Sequence, residues 1–339
     1  MCAKRLGRAT LELTRAPGVL ASASVVGKKE GDGPLKRSFD CISEDAYFGE
    51  RSWEKAESAL LKKCFDLVCG KAGVSPGDLD YVLSGDLLNQ CAGSAYALRD
   101  SGAPYLGLYG ACSTMAEALT LASILIDGGA GKKVAALTSS HFCSAERQFR
   151  FPLEYGSVRT PVSQWTVTGA GALILAGDAP APYITRVTTG KIVDLGVTDA
   201  SNMGAAMAPA ACDTLERHFA DTGRSPDYYD AIITGDLGIT GGKILTELLS
   251  LDGISLGARY FDCGGMIYDA KRQGVCSGGS GCGCSASVLA GYVLDNIRSG
   301  GWKKVLFAAT GALMSPTTSQ QGESIPGICH AVAFETERC

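Results

Sequence analysis

The chain is short of histidine, of charge and of long apolar runs. Its 339 residues include three histidines, His141, His218 and His330, which leaves few candidates for an imidazole base. Charged residues make up 19% against 46% hydrophobic, a balance that excludes disorder and allows a sizeable buried core. No stretch approaches the roughly 20 apolar residues of a membrane span. The net charge is -4 and no basic cluster interleaves with aromatics, which excludes a nucleic-acid partner held by bulk electrostatics. The opening Met1-Cys2-Ala3-Lys4-Arg5 runs into polar residues without an apolar segment, so no cleaved signal peptide is expected. Neither terminus carries a lipidation motif.

Glycine and cysteine are in excess instead. There are 44 glycines, about twice the usual share of roughly 7%; without a three-residue period they point to tight turns and close backbone approaches. The 14 cysteines are scattered, and neither Cys64 with Cys69 nor Cys282-Gly283-Cys284 forms a paired zinc signature. Free thiols in a reducing compartment are expected, most of them acting as small buried hydrophobes.

The sequence repeats itself. Residues 75–88 contain Ser75-Pro76, an acidic turn and the apolar run 81–83, ending at Gly85-Asp86; residues 225–238 contain Ser225-Pro226, a similar turn and the run 231–233, ending at Gly235-Asp236. Downstream, Gly110-Ala111-Cys112-Ser113 opens the apolar helical run 115–126, and Gly283-Cys284-Ser285 opens the run 286–297. Each run closes on a glycine pair, Gly128-Gly129 and Gly300-Gly301, suited to ending a helix. Lys132-Lys133 and Lys303-Lys304 then feed buried strands, and runs 169–175 and 328–334 close the two copies. The second copy carries about twenty extra residues within 253–278, by comparison of the two spacings.

Strand, helix, strand units with runs apolar on both faces predict mixed sheets covered by helices. Two such halves, 1–180 carrying Cys112 and 181–339, predict an α/β body of five layers, α/β/α/β/α. Ligands in open α/β sheets collect beyond the carboxyl ends of strands. Gly85-Asp86, Gly235-Asp236 and Gly110-Ala111-Cys112 all fall at such ends and are expected to meet in the middle.

These residues carry a resemblance. The duplicated architecture with Gly110-Ala111-Cys112-Ser113-Thr114 between strand and helix resembles the thiolase and ketoacyl-synthase superfamily. Further motifs are similar to the stage V sporulation protein AD family of endospore formers. They include Gly85-Asp86-Leu87-Leu88-Asn89-Gln90, Thr138-Ser139-Ser140-His141, Ala145-Glu146-Arg147-Gln148-Phe149-Arg150 and Met207-Ala208-Pro209-Ala210-Ala211. Gly278-Gly279-Ser280-Gly281-Cys282, Gly311-Ala312-Leu313 and Glu323-Ser324-Ile325-Pro326 extend the likeness nearly end to end. The resemblance implies a thiolase-like fold and a role in sporulation. It implies binding of dipicolinic acid (pyridine-2,6-dicarboxylate) or its calcium chelate, supporting uptake into the spore and release at germination. It also implies partnership with the other proteins of the SpoVA operon at the spore inner membrane, to which a soluble chain would attach peripherally, and a homodimer. No cofactor and no resident metal are implied.

Two chemistries compete for Cys112. At a helix start its thiol would feel the positive end of the dipole, lowering its pKa and favouring a nucleophile that is acylated, as in the superfamily's condensing enzymes. Those enzymes add a His at the end of the second-half strand and a further His or Asn. Here that strand ends in Gly235-Asp236, and the Gly-Asn segment expected before the second-half helix reads Gly281-Cys282-Gly283-Cys284. A base contributes about 10²–10⁴-fold and an oxyanion donor about 10²–10³-fold, so a binder with an inactive site is the expectation. A small planar dianion wants free N–H groups at a helix start and a guanidinium fork. Cys112, Asp86, His141, Arg147, Arg150 and Arg159 are the candidate ligand-binding residues. The three arginines read equally as solvated surface charge, and Asp86 as a ligand or calcium contact or as the turn signature that Asp236 repeats. His218 reads as a surface helical residue, while His141 or His330 could face the pocket.

Overall fold

The structure, a computed structural model, describes residues 3–149 and 159–338; the candidate Arg150 lies outside the described residues. The first half supplies β1 (Gly18–Gly27), β2 (Tyr81–Gly85), β3 (Tyr105–Gly107), β4 (Lys133–Ser140) and β5 (Gly169–Ala176). The second supplies β6 (Tyr183–Thr188), β7 (Ala231–Thr234), β8 (Tyr260–Asp262), β9 (Lys304–Ala312) and β10 (Gly327–Glu335). They lie in the order β8-β7-β9-β10-β6-β1-β5-β4-β2-β3.

The order is its own mirror. β3, β2 and β4 are parallel, with β5 antiparallel to β4 and β1 antiparallel to β5. β8, β7 and β9 are parallel, with β10 antiparallel to β9 and β6 antiparallel to β10. A single pairing, Tyr183 with Gly18, joins the two runs. The strand Thr10–Glu12, paired with Lys4–Leu6, crosses over to pair with β6 in the other half.

Helices α1 (Trp53–Ala72), α2 (Ala92–Leu98), α3 (Thr114–Asp127) and α4 (Phe142–Phe149) belong to the first half. To the second belong α5 (Met203–Thr222), α6 (Gly238–Leu251) and α7 (Cys282–Val288), the last continuing through a π turn, Leu289–Val293, into Leu294–Arg298. α3 packs on β4 of its own half and on β9 and β10 of the other, and α7 packs on β4 and β5. These two form the middle layer, α1 covers the first sheet from outside, and α5 with α6 covers the second. The predicted five-layer thiolase-like body is the observed one.

Such central helices must be apolar all round, and α3 buries Met115, Ala116, Ala118, Leu119 and Ala122. Close approach needs glycine: a Cβ on Gly171 of β5 would run into the backbone carbonyl of Ala286 in α7. The insertion falls between β8 and α7, as two short helices, Cys263–Ile267 and Ala270–Gln273; after it the strand Gly279–Ser280 pairs with Trp165–Thr166. One expectation is corrected. His218 is not at the surface: it lies on the inner face of α5 with Leu215 and Phe219, fully buried. Its ring nitrogens meet Thr188 Oγ1 at 2.7 Å and Tyr229 OH at 2.5 Å. The i, i+3, i+4 spacing of those residues puts all three on one stripe.

Candidate functional site

The carboxyl end of β2 backs onto Leu108 and Thr114 at the turn before α3, and that of β7 leads to Asp236 beside the same turn. Ala111 takes a left-handed conformation, φ 49°, uncommon for a residue with a side chain, and this turn points Cys112 away from the strand. The turn is held by Thr114 Oγ1, which donates to the Ala111 carbonyl at 2.7 Å, and by Ser113 Oγ, which donates to the Gly110 carbonyl at 2.6 Å. Gly311 of β9 backs directly onto this turn, where a Cβ would collide with the Gly110 carbonyl.

Cys112 opens on a small cavity of about 50 Å³ whose wall includes Tyr109, Glu146, Phe149, Met203, Ser280 and Met314. That is room for a few waters, far below the roughly 300–1,000 Å³ of small-molecule sites. Cys112 is 4% exposed and packs with Leu87, Ala145 and Cys282.

The residue that governs the thiol is Asp236, fully buried. Its Oδ1 accepts from Thr310 Oγ1 at 2.8 Å, and its Oδ2 accepts from Ser280 Oγ at 3.0 Å and from the Gly281 N–H at 2.9 Å. The Cys112 thiol lies within the electrostatic reach of the same carboxylate. Gln164 pins the backbone behind it, Nε2 donating to the carbonyls of Asp236 and Gly279, both at 2.7 Å. Burial pushes the Cys112 thiol well above its ordinary value, and the Asp236 charge pushes it further. Burial also raises Asp236, opposed by its donors. The expectation of a thiol activated by the helix dipole is therefore reversed. Cys112 precedes the first turn of α3, and loss of water beside a carboxylate outweighs the dipole.

The repeat explains the geometry and its asymmetry. Asp86 and Asp236 occupy the same place in the two copies, yet they do different work. Asp86, also fully buried, turns both oxygens to backbone: Oδ1 accepts from the Leu88 N–H at 2.8 Å and Oδ2 from the Ser94 N–H at 2.6 Å. It ties the end of β2 to α2 and does not line the cavity. In the second copy that task falls to Asp262, which accepts from the Leu237 and Gly238 N–H groups at 2.9 and 2.8 Å, and Asp236 is freed to face Cys112.

The other candidates separate. His141 is 1% exposed; its Nε2 meets the Ala46 carbonyl at 2.8 Å and its Nδ1 accepts from the Cys143 N–H at 3.2 Å, away from the cavity. His330 sits on β10, its Nδ1 accepting from the Gly190 N–H at 3.2 Å. Arg147 is exposed and pairs with Glu54. Arg159 does approach the site, 3.5 Å from the buried Glu146 carboxylate in the cavity wall. Glu146, Ser280, Thr310 and Cys282 are site residues that sequence reasoning did not single out; Asp236 was visible through the repeat, but only as a turn. Among the described residues, no group of three or more His, Cys, Asp or Glu side chains could hold a metal ion, and no helix is long and apolar enough to cross a membrane.

Residues 7–335 match the family model described as stage V sporulation protein AD. The chain is 43% identical over 332 residues to the stage V sporulation protein AD of Bacillus subtilis (strain 168), covering 98% of each. Among solved structures it superposes on 3-oxoacyl-[acyl-carrier-protein] synthase III of Aquifex aeolicus with a TM-score of 0.58 at 13% identity, covering 94% of this chain and 100% of that one. Human mitochondrial 3-ketoacyl-CoA thiolase gives 0.57 at 14%, covering 96% and 99%. At such identities these two likenesses carry the fold alone.

Proposed function

The chain belongs to the stage V sporulation protein AD family, and on that premise we propose that it binds dipicolinic acid or its calcium chelate at the Cys112 cavity. In this reading it supports dipicolinate uptake in sporulation and release in germination, beside the other SpoVA proteins at the spore inner membrane. It does no chemistry on the ligand. The observation that carries the non-catalytic reading is the Asp236 carboxylate. It takes the N–H and hydroxyl donors around Cys112 for itself and sets a negative charge beside the thiol. An attacking thiolate and an oxyanion both need such donors free.

The cavity must open to admit a pyridine dicarboxylate, since its present space holds only a few waters. Phe149, Met203 and Met314 in the wall supply side chains that can give way, methionine being the most adaptable of apolar residues. Glu146 and Asp236 would repel a bare dianion, which favours the calcium chelate or a protonated acid, with Arg159 as the nearby cation. A homodimer fits the same picture: β3 is an edge strand with Leu106 exposed, followed by exposed Tyr109, and edges of this kind pair with a second copy.

Calorimetric titration with dipicolinate, with and without calcium, tests the reading. Saturable binding is expected, weaker for isophthalate, which lacks the ring nitrogen. No heat with either form overturns it. Incubation with acetyl-CoA should leave the intact mass unchanged; an acyl adduct on Cys112 that turns over would restore the condensing-enzyme reading, for which the strained turn at Ala111 is the structural argument.

A further inference from the structure

We propose that the carboxyl group of Glu57, acting on Ser144, is a proton-operated latch that holds helix α4 closed against the Cys112 cavity and releases it as pH rises; this rests on the binding function proposed above.

α4 stands between two spaces. Ala145, Glu146 and Phe149 line the cavity of about 50 Å³. Ser144, Arg147 and Gln148 turn the other way, into a surface groove of about 330 Å³ shared with Glu54, Leu88, Asn89 and Ala92. The i, i+3, i+4 spacing within each set makes these two opposite stripes of one helix. A shift of α4 toward the groove is therefore the motion that enlarges the cavity. Three contacts on the groove side oppose it. Arg147 pairs with Glu54, Gln148 Nε2 donates to the Leu87 carbonyl at 2.8 Å, and Ser144 meets Glu57. The first lies at the exposed surface, where ion pairs contribute little. Only the third is buried on both sides.

Counting protons shows which form of Glu57 fits this contact. Ser144 Oγ lies within hydrogen-bond distance of two acceptors, Glu57 Oε2 and the His141 carbonyl at 3.0 Å, and a hydroxyl has one proton to give. With Glu57 ionised, one of the two contacts goes unmade. With Glu57 protonated, both form: the acid donates to Ser144 Oγ, and Ser144 donates to the His141 carbonyl at the start of α4. Ser139 Oγ on β4, 3.4 Å from Glu57 Oε1, completes the shell. The surroundings favour the same form. Glu57 is fully buried, and the charges acting on it, Asp86 at the end of β2 and Glu54 on α1, carry its own sign. The Cys282 thiol beside it donates to the Ser139 carbonyl at 2.9 Å, and burial keeps that thiol neutral. Burial first, and then Asp86, push the Glu57 pKa well above its ordinary value.

Loss of that proton sets a second buried charge near Asp86 and takes Ser144 away from the His141 carbonyl. A buried carboxylate also draws water, and the groove at Ser144 is where water stands closest to α4. The closed state thus holds a proton that the open, hydrated acid releases above its ordinary value of 4.5. The latch is complete below that pH. It weakens by up to about tenfold per pH unit above it, until the raised pKa of the closed state is passed. α4 swings to admit the ligand and closes again behind it, while Met203 and Met314 yield the room. Entry and exit therefore quicken together, and affinity stays the same.

The test is hydrogen exchange of the α4 backbone amides in the full chain, corrected for intrinsic rates, in wild type, Glu57→Gln and Ser144→Ala. Stopped-flow association of dipicolinate accompanies it, both from about pH 6 to about pH 8, where carboxyl groups in water stay ionised. In wild type, α4 opening should rise by up to about tenfold per pH unit, and the association rate should follow it. Glu57→Gln keeps a donor for Ser144 and has no proton to lose, so both rates should stay flat at the wild-type level of the lowest pH. Ser144→Ala breaks the link, so α4 should exchange at that pH as fast as wild type does at the highest. Glu57→Gln with the wild-type pH slope in α4 exchange overturns the latch. So does Ser144→Ala with wild-type exchange at the lowest pH, which decides the matter if the glutamine variant fails to fold. Exchange needs no ligand, so the two failures separate: the expected exchange pattern in a wild type that binds no dipicolinate overturns the binding function, and with it the gating role of the latch.

Discussion

Replacing Asp86 by alanine removes the acceptor for two backbone N–H groups at a fully buried position. The contacts are short, 2.8 Å to Leu88 N and 2.6 Å to Ser94 N, and hydrogen bonds to a charged group contribute about 1.5–3 kcal/mol each. Their loss alone would cost roughly 3–6 kcal/mol. Part of this is returned, because the variant no longer keeps a carboxylate out of water. The net expectation is a destabilisation of about 2–4 kcal/mol. Asp86→Asn keeps one carbonyl acceptor but turns an NH2 group toward the other N–H, so it should fall between wild type and alanine. Urea unfolding followed by circular dichroism gives the order and the size. Dipicolinate affinity of the folded fraction should change less than twofold in both variants. An Asp86→Ala protein with the wild-type urea midpoint and a tenfold weaker ligand affinity would refute the reasoning: the carboxylate would then serve the ligand and not the turn.

Asp236→Asn removes the charge beside the Cys112 thiol while keeping one acceptor. A like charge beside a thiol disfavours the thiolate, and removing it is worth roughly tenfold or more in thiolate. Iodoacetamide should therefore label Cys112 at least about tenfold faster in the variant at mildly alkaline pH, as read by peptide mass. An unchanged rate means the carboxylate does not hold the thiol. Burial lowers the pKa of His330 from 6.5 to about 4. The unfolded chain then binds a proton that the native chain refuses between these values, so this histidine's contribution is complete above pH 6.5 and is lost as pH falls toward 4. The urea midpoint should drop over that window, less steeply in His330→Gln, and the imidazole C2 proton of His330 should keep its neutral shift down to about pH 4. A midway shift near pH 6.5 would refute it.

The fold was legible because its signals are local and occur twice. The runs read at 81–83 and 231–233 became β2 and β7, the run 115–126 became α3, and the extra residues of the second copy fell inside 253–278. The site was only half legible. Cys112 could be placed from its turn, but what surrounds it is distant in sequence: Thr310 on β9 and Ser280 just before α7 come from across the seam, and Glu146 on α4 from its own half. No spacing in one chain records such contacts. Asp236 shows the limit best, for it and Asp86 look identical in the repeat. They diverge because Asp262, 26 residues on, takes the backbone contacts in one copy only. His218 was misplaced for a related reason: a polar residue in a charged-looking run is read as exposed unless its buried partners, Thr188 and Tyr229, are known.

The pairing of the strand Thr10–Glu12 with β6 has a consequence for how the chain comes to be folded at all. That strand precedes its partner by some 176 positions, with Thr10 against Thr188 at one end and Glu12 against Arg186 at the other. β1 waits almost as long for β5. Non-local pairings of this span make folding slow, and until they form, the nascent first half exposes bare strand edges open to the wrong partner. Synthesis past β6, and not of the first repeat alone, is therefore what lets the strand Thr10–Glu12 find its partner.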